Sequence, residues 1–137
     1  MKYLGLDLGS RTLGLAISDA LGMFARAYDT LRFEDDDYDY AVDKTIEICK
    51  KEGITEIVLG NPKHMNGDEG IRSQISYDFK EKIESKSNIK VHLIDERLTT
   101  IRVDKAMIMG NLSRQKRHQK KDEMAAVIIL QDFLDAR

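Results

Sequence analysis

The amino-acid sequence predicts an α/β fold, a mixed five-stranded sheet with a three-strand antiparallel meander and two parallel strands, flanked by helices. Two observations predict this class. Three strand-like segments follow one another in residues 3–33, and from residue 37 onward helical and strand periods alternate. Consecutive strands joined by short turns pair in antiparallel fashion, whereas strands separated by helices pair in parallel. The expected result is a mixed sheet with helices on its faces.

The first half of the chain contains the predicted meander. The segment YLGLDL has the apolar character of a core strand and ends at Gly9 and Ser10, which favour a turn. Residues 12–18 continue in the same style, so the two segments form a tight hairpin. A third segment, residues 24–33, mixes aromatic, β-branched and charged residues, which suits a strand nearer the sheet edge.

The second half alternates between helices and strands. A helix is predicted from Asp37 to Gly53, a residue typical of helix ends, and a strand over residues 54–59. The loop GNPKHMNGDEG follows, and then a helix whose apolar face has residues at spacings of four: Ile71, Ile75, Phe79 and Ile83. A strand over 90–95, a helix over 99–109, a mobile basic loop over 110–119 and a last helix over 120–136 complete the prediction.

Composition limits the classes of protein that need to be considered. A chain of 137 residues and 15.7 kDa is predicted to form one domain, residues 1–137, with a substantial core. No apolar run is long enough for a membrane span, residues 1–19 lack the pattern of a signal peptide, and Cys49 is the single cysteine, so a cytoplasmic location is expected. The net charge of −2 argues for no general attraction to nucleic acid, but charge is segregated: EDDDYD at 34–39 is acidic and SRQKRHQKK at 113–121 is basic.

Four carboxylates are candidates for a common site. Sites in open α/β sheets lie just beyond the carboxyl ends of neighbouring parallel strands. Asp7 lies near the end of the first strand, and Asp95 and Glu96 end the strand VHLIDE. Asp122 is predicted on the apolar face of the last helix, because small and apolar residues follow it at helical spacing: Ala125, Ala126, Ile129 and Phe133. The two alanines would let this helix approach the sheet closely.

Converging carboxylates repel one another unless they are protonated or share cations. Mg²⁺ is a hard cation that prefers carboxylate oxygens, and two such ions can activate a water molecule and stabilise the leaving oxygen in phosphodiester cleavage. The residues also have structural interpretations. Asp7 could accept hydrogen bonds at the hairpin turn, Asp95 or Glu96 could pair with Arg97, and Asp122 could stabilise the start of a helix.

Four segments carry a resemblance to a known family. In order, GLDLGSRTLGLAISD, VLGNPKHMNGDEG, DERLTT and KKDEMAAVIIL resemble the motifs of the YqgF family, RNase H-like proteins described as Holliday junction resolvases and pre-16S ribosomal RNA nucleases. The resemblance covers nearly the whole chain. It implies an RNase H-like fold and divalent-metal-dependent phosphodiester hydrolysis. Asn61 and Leu13 depart from the family's usual residues, and neither departure removes an acid.

The resemblance also implies the site. Asp7, Glu96 and Asp122 correspond to the acidic triad, which would be both catalytic and metal-binding, with Mg²⁺ or Mn²⁺, two ions with substrate bound, as cofactor. Asp95 is the neighbouring alternative. Basic residues close to these motifs are candidates for gripping the phosphate backbone of a nucleic acid. They are Arg11, Lys63, Arg97, Arg114, Lys116, Arg117, Lys120 and Lys121.

The function expected from this resemblance is nuclease action, with 5′-end maturation of pre-16S rRNA in ribosome biogenesis as the first choice of substrate. Holliday junction resolution in DNA recombination and repair and non-cleaving nucleic-acid binding are the alternatives. The first motif also resembles the phosphate loop of actin-like and sugar-kinase ATPases, but those enzymes close two lobes over ATP and this chain has the length of one. A monomer would suit RNA trimming, and a homodimer would match the two-fold symmetry of a DNA junction.

Overall fold

The computed structural model describes residues 1–61, 69–95 and 114–137, apart from the side chains of residues 69, 72, 95 and 114–122. Five strands and three helices lie in these ranges. They are β1 (Tyr3–Leu8), β2 (Thr12–Ser18), β3 (Ala25–Arg32), α1 (Tyr38–Glu52), β4 (Glu56–Asn61), α2 (Glu69–Lys86), β5 (Lys90–Asp95) and α3 (Arg114–Ala136). The helix predicted over 99–109 falls outside the described residues.

The strands form one mixed sheet in the order β3-β2-β1-β4-β5. The pairs β1–β2 and β2–β3 are antiparallel, and the pairs β1–β4 and β4–β5 are parallel. The predicted fold class is therefore confirmed. Strand β1 lies in the centre of the sheet, and its carboxyl end shares one edge with the carboxyl ends of β4 and β5.

Two apolar layers cover the two faces of the sheet. Leu4, Leu6 and Leu8 of β1 are buried with residues of α1 and α2 on one face. Successive residues of a strand point to opposite faces, and Tyr3 is accordingly buried on the other face of the sheet. Its neighbours there are residues of α3: Ala126, Ile129 and Leu130. The apolar repeat of β1 thus assigns its odd-numbered residues to the α3 face.

Helix α1 has the ends that the sequence predicts. The side chain of Asp37 accepts a hydrogen bond from the backbone N–H of Tyr40, which satisfies a free donor of the first turn. Gly53 follows the last turn with φ of 70°, a left-handed conformation that favours glycine, and its N–H donates to the Cys49 carbonyl. One residue of the acidic segment 34–39, Asp37, therefore has a structural role as the cap of α1.

Two sequence predictions were wrong. Ile71 is 65% exposed rather than part of the buried face of α2, because it lies in the first turn and the helix meets the core only from Ile75 onward. Helix α3 begins at Arg114 rather than near 120, so residues 114–119 are helical and not a mobile loop. Arg, Lys and Gln are good helix formers and neither Gly nor Pro interrupts them, so the run continues the helix.

None of the described helices combines the length and the apolar character needed to cross a bilayer.

Candidate active site at the carboxyl end of β1

Asp7 is the penultimate residue of β1 and is half-buried. It has the strand parity of Tyr3 and Gly5, which lie on the face covered by α3. The leucines on either side of it point into the opposite core, so the carboxylate lies at the end of the sheet beneath the helix. The prediction that an acidic residue lies within an otherwise buried strand is therefore confirmed.

Buried glycines lie beside Asp7 on the neighbouring strands. Gly14 of β2 is its register partner. On the other side, Leu6 pairs with Leu59 of the parallel strand β4. The next residue of β4, Gly60, therefore lies beside Asp7. Because neither glycine has a side chain, the space above the sheet on both sides of Asp7 is not filled by these strands.

Helix α3 is in backbone contact with β1 at Gly5. A Cβ atom on Gly5 would lie 2.7 Å from the Cβ atom of Leu130 and 2.9 Å from the carbonyl oxygen of Ala126. Both distances are shorter than a Cβ atom tolerates from any neighbouring heavy atom, so only glycine fits here without a shift of the helix. The expected close approach of the helix is confirmed, and it depends on Gly5 of the strand as well as on the small residue Ala126.

The contacts along β1 show how α3 runs. Tyr3 packs against Phe133, with 5.6 Å between ring centroids, whereas Gly5 lies under Ala126 and Leu130. Moving along β1 toward Asp7 therefore means moving toward the start of α3. Asp122 lies four residues before Ala126, about 6 Å along the helix axis, and Asp7 lies about 7 Å beyond Gly5. The backbone of α3 thus brings residue 122 to the end of the sheet that carries Asp7.

The predicted acids of β5 are only partly within the described residues. Asp95 is the last residue of the strand and is in register with Asn61 of β4. Asn61 is buried, and its side-chain oxygen accepts a hydrogen bond from Ser73 of α2, on the face opposite α3. Ile94 packs against the cluster under α3. Glu96 lies outside the described residues.

A further acid of α3 contacts the sheet. The hydroxyl of Thr30 in β3 donates to Oε1 of Glu123 over 3.1 Å. No sequence pattern pointed to this residue, since the contact joins positions 93 residues apart. The one hint in the sequence is that Glu123 directly follows the candidate site residue Asp122.

Arg11 is the one predicted phosphate-binding residue whose side chain is described. It is exposed and forms an ion pair with Asp35, in which Nη2 lies 3.0 Å from Oδ2 and Nε donates to Oδ1. The hydrogen bond and charge of Asp35 raise the pKa of Arg11, and the same hydrogen bond lowers the pKa of Asp35.

The other predicted phosphate-binding residues fall outside this description. Lys63 and Arg97 lie outside the described residues. Only the backbone is described for the basic residues of α3, which are Arg114, Lys116, Arg117, Lys120 and Lys121. Within the described side chains, no three acidic, histidine or cysteine residues group closely enough to hold a metal ion.

Solved structures share this fold. The structure of Thermus thermophilus RuvC in complex with a Holliday junction matches with a TM-score of 0.68 at 12% identity, over 100% of this chain and 96% of that one. The fowlpox virus resolvase, solved with Holliday junction DNA, matches with a TM-score of 0.62 at 13% identity, over 99% and 98%. The chain thus has the RNase H-like fold of these resolvases, as predicted.

The family is defined by sequence. The family model of RuvX, described as "Holliday junction resolvase", matches residues 1–136. A protein of Staphylococcus aureus strain JH9 named "Putative pre-16S rRNA nuclease" is 43% identical over 136 residues, which is 98% of this chain and 96% of that protein. The chain belongs to the RuvX family, which is the YqgF family expected from its motifs. The predicted nuclease class is confirmed with it.

Proposed function

We propose that this chain is a divalent-metal-dependent nuclease that hydrolyses phosphodiester bonds in the 5′-end maturation of pre-16S rRNA. One observation supports the site most directly. Asp7 lies half-buried on the α3 face at the end of β1, and helix α3 reaches the sheet at Gly5 in the direction that carries Asp122 toward it. The 43% identical relative named for pre-16S rRNA favours RNA as the substrate.

The residues at this end of the sheet fit a hard cation. Carboxylate oxygens are the preferred ligands of Mg²⁺ and Mn²⁺, and Asp7 is flanked on β2 by a glycine that leaves room beside it. Asp95 has the strand parity opposite to that of Ile94, which packs beneath α3, so the other acid of this motif, Glu96, is favoured as the second ligand. Asp122 is the third. Two bound ions would supply an activated water and stabilise the leaving oxygen.

The protein's own residues hold and orient the reacting groups. Asp7 belongs to a strand and residue 122 to a helix, so their backbone separation is fixed by the sheet and by the packing of α3. Rigid elements of this kind hold reacting atoms in position better than loops do. The exposed side chain of Arg11, together with the other predicted basic residues, would bind the phosphate backbone without reading its sequence.

Residues 1–137 would act as one nuclease domain in the cytoplasm, as a monomer on RNA. Resolution of Holliday junctions is the second candidate, because the matching family is described by that activity. It would require a homodimer, since two strands must be cut symmetrically.

The test compares cleavage of a pre-16S rRNA fragment and of a four-way DNA junction, with Mg²⁺, with Mn²⁺ and with EDTA. Asp7→Asn keeps the size of the side chain and removes its charge. We expect it to lower the rate at least about a hundredfold, since the residue would hold the catalytic ion. Asp78→Asn is the matched control, because Asp78 is an exposed acid of α2, on the other face of the sheet.

Each outcome has a separate meaning. Cleavage of the RNA that disappears with EDTA and with Asp7→Asn would support the proposal. Preferential cleavage of the junction would favour the second candidate. Cleavage that persists with Asp7→Asn would reject the site, and binding of both substrates without cleavage of either would reject the nuclease in favour of a binding factor.

A further inference from the structure

Asp7, Gly14 and Thr30 form a row across three neighbouring strands. Asp7 of β1 is in register with Gly14 of β2, and Gly14 is in register with Thr30 of β3. Register partners in antiparallel strands point to the same face, so Thr30 lies on the α3 face, about 10 Å from Asp7 across the glycine.

Thr30 forms a hydrogen bond with Glu123, the first residue of α3 whose side chain is described. Its Oγ1 donates to Oε1 of Glu123 over 3.1 Å, and both residues are half-buried. Glu123 directly follows Asp122, which we propose as a metal ligand. The hydrogen bond therefore connects the strand row of Asp7 to the helical turn that carries the third carboxylate.

A second polar contact fixes α3 to the same edge of the sheet, farther from the site. The Ala25 N–H donates to the side-chain oxygen of Gln131 over 2.9 Å, and the amide of Gln131 donates to the Met23 carbonyl over 3.1 Å. Glu123 and Gln131 are eight residues apart, about two helical turns, so they lie on one side of the helix. The Glu123 contact lies next to residue 122 and the Gln131 contact lies nine residues from it, so the two contacts can be tested separately.

We infer that Glu123 is a positioning residue, which through Thr30 holds the turn of α3 around residues 122–123, and with it Asp122, at a fixed distance from Asp7. This inference rests on the proposed function. The Thr30 hydroxyl occupies one oxygen of Glu123, and the bond draws that carboxylate toward β3, away from the β1 end of the row. Without it, an additional carboxylate next to Asp122 would be free to move toward the site and to repel the other acids.

Three substitutions separate this role from direct metal binding. Thr30→Val removes the hydroxyl while keeping the branched shape that strands favour, and Thr30→Ser restores the hydroxyl. Glu123→Gln keeps an acceptor oxygen but removes the charge, whereas Glu123→Ala removes both. Gln131→Ala is the matched control, because it breaks the other contact between α3 and β3, away from the site.

The first readout is Mn²⁺ binding measured by calorimetry without nucleic acid, and the second is the Mn²⁺ concentration that gives half-maximal cleavage. Thr30→Val and Glu123→Ala should each weaken Mn²⁺ binding about tenfold, the usual effect of losing a residue that orients a metal ligand. The double variant should be no worse than either single variant. Thr30→Ser and Glu123→Gln should bind as the unmodified protein does, and Gln131→Ala should lower stability with unchanged Mn²⁺ affinity.

Several results would overturn the inference. Unchanged Mn²⁺ affinity in folded Thr30→Val would show that the hydrogen bond positions nothing. Loss of binding in Glu123→Gln without loss in Thr30→Val would make Glu123 a ligand instead. Failure of the proposed function is distinguishable, because the unmodified protein would then neither bind Mn²⁺ nor cleave, and the inference would fall with it.

Discussion

Arg11 and Asp35 form a two-pronged ion pair beside the turn that joins β1 to β2, four residues after Asp7. Backbone hydrogen bonds hold Phe33 and the start of the acidic segment, residues 34–39, against this turn. The N–H of Phe33 donates to the Arg11 carbonyl and the N–H of Asp36 donates to the Ser10 carbonyl, each over 2.9 Å. The acidic segment thus lies at the border of the candidate site and engages a side chain that is predicted to bind phosphate.

The first prediction concerns this pair. Asp35→Asn should increase affinity for RNA or junction DNA about threefold at low salt, because Arg11 is released from a competing anion and one repulsive charge is lost. The effect should shrink in higher salt, which screens exposed charges. Dissociation constants measured at two salt concentrations would check it.

The control for this prediction is Glu34→Gln, which makes the same change in net charge at an exposed neighbouring residue. A gain from Asp35→Asn that exceeds the gain from Glu34→Gln, and that vanishes when Arg11 is also replaced by Ala, would assign the effect to Arg11. Equal gains from both substitutions would assign it to net charge alone.

The second prediction concerns the contact of α3 with β1. Gly5→Ala should destabilise the protein by about 1–3 kcal/mol, since the new methyl group would overlap Leu130 and the Ala126 carbonyl and push the helix from the sheet. Urea unfolding would measure the loss. It should also reduce cleavage, because displacement of the helix would move Asp122 away from Asp7.

Gly70→Ala is the matched control, because a methyl group at Gly70 meets no atom of the described residues within 4 Å and the residue is helical. It should be neutral or stabilising by up to about 1 kcal/mol. If Gly5→Ala were equally harmless, the close contact between helix and strand would be wrong.

The third prediction concerns pH. Asp19 accepts hydrogen bonds from the N–H groups of Phe24 and Met23, over 3.0 and 2.7 Å, and these bonds lower the pKa of its carboxyl below the ordinary value of 3.8. A lowered pKa in the folded state stabilises the fold above the unfolded value, and this contribution is lost as the pH falls through the folded value. The ionised carboxylate should therefore stabilise the β2–β3 turn at neutral pH.

Unfolding of the unmodified protein and of Asp19→Ala at pH 7 and at several values below pH 4 would test this. The difference in unfolding free energy between the two should be constant near neutrality and should shrink as the pH falls below about 4. A difference that does not change with pH would mean that the charge of Asp19 contributes nothing to the turn.

The fourth prediction concerns Cys49. The residue is buried in α1 against the sheet, and burial raises the pKa of its thiol to about 12. Because the thiolate is the reactive form, modification by a disulfide reagent at pH 8 should be slow in the folded protein and fast in denaturant. Rapid labelling under native conditions would contradict the burial of this face of α1.

Much of the local structure could be predicted from the sequence because it depends on local patterns. The alternation of leucines in β1, the helical spacing in α1 with Asp37 and Gly53 at its ends, and the strand over 90–95 were all predicted and all confirmed. Errors arose where a pattern did not reveal its surroundings. Ile71 continues the apolar spacing of α2 but lies before the helix meets the core, and the basic residues from 114 form helix although their charge suggested a loop.

The candidate site divides in the same way. Its family could be identified and its acids could be proposed from motifs, since residue type and spacing are properties of the chain alone. No local pattern could give the position of β1 between β2 and β4, the contact of Gly5 with α3, or the hydrogen bond between Thr30 and Glu123. These join residues 93 or more positions apart, or depend on the order of strands in the sheet.

The sequence by itself therefore determined the α/β class, the strand and helix periods and the family, and it supplied the candidate acids. Only the tertiary structure decided that Asp7 lies on the α3 face, that Asp35 binds Arg11, and that Glu123 binds β3. The physical reason is that apolar periodicity specifies which face of an element is buried but not which element buries it. That choice is made when the whole sheet assembles and α3 packs across it.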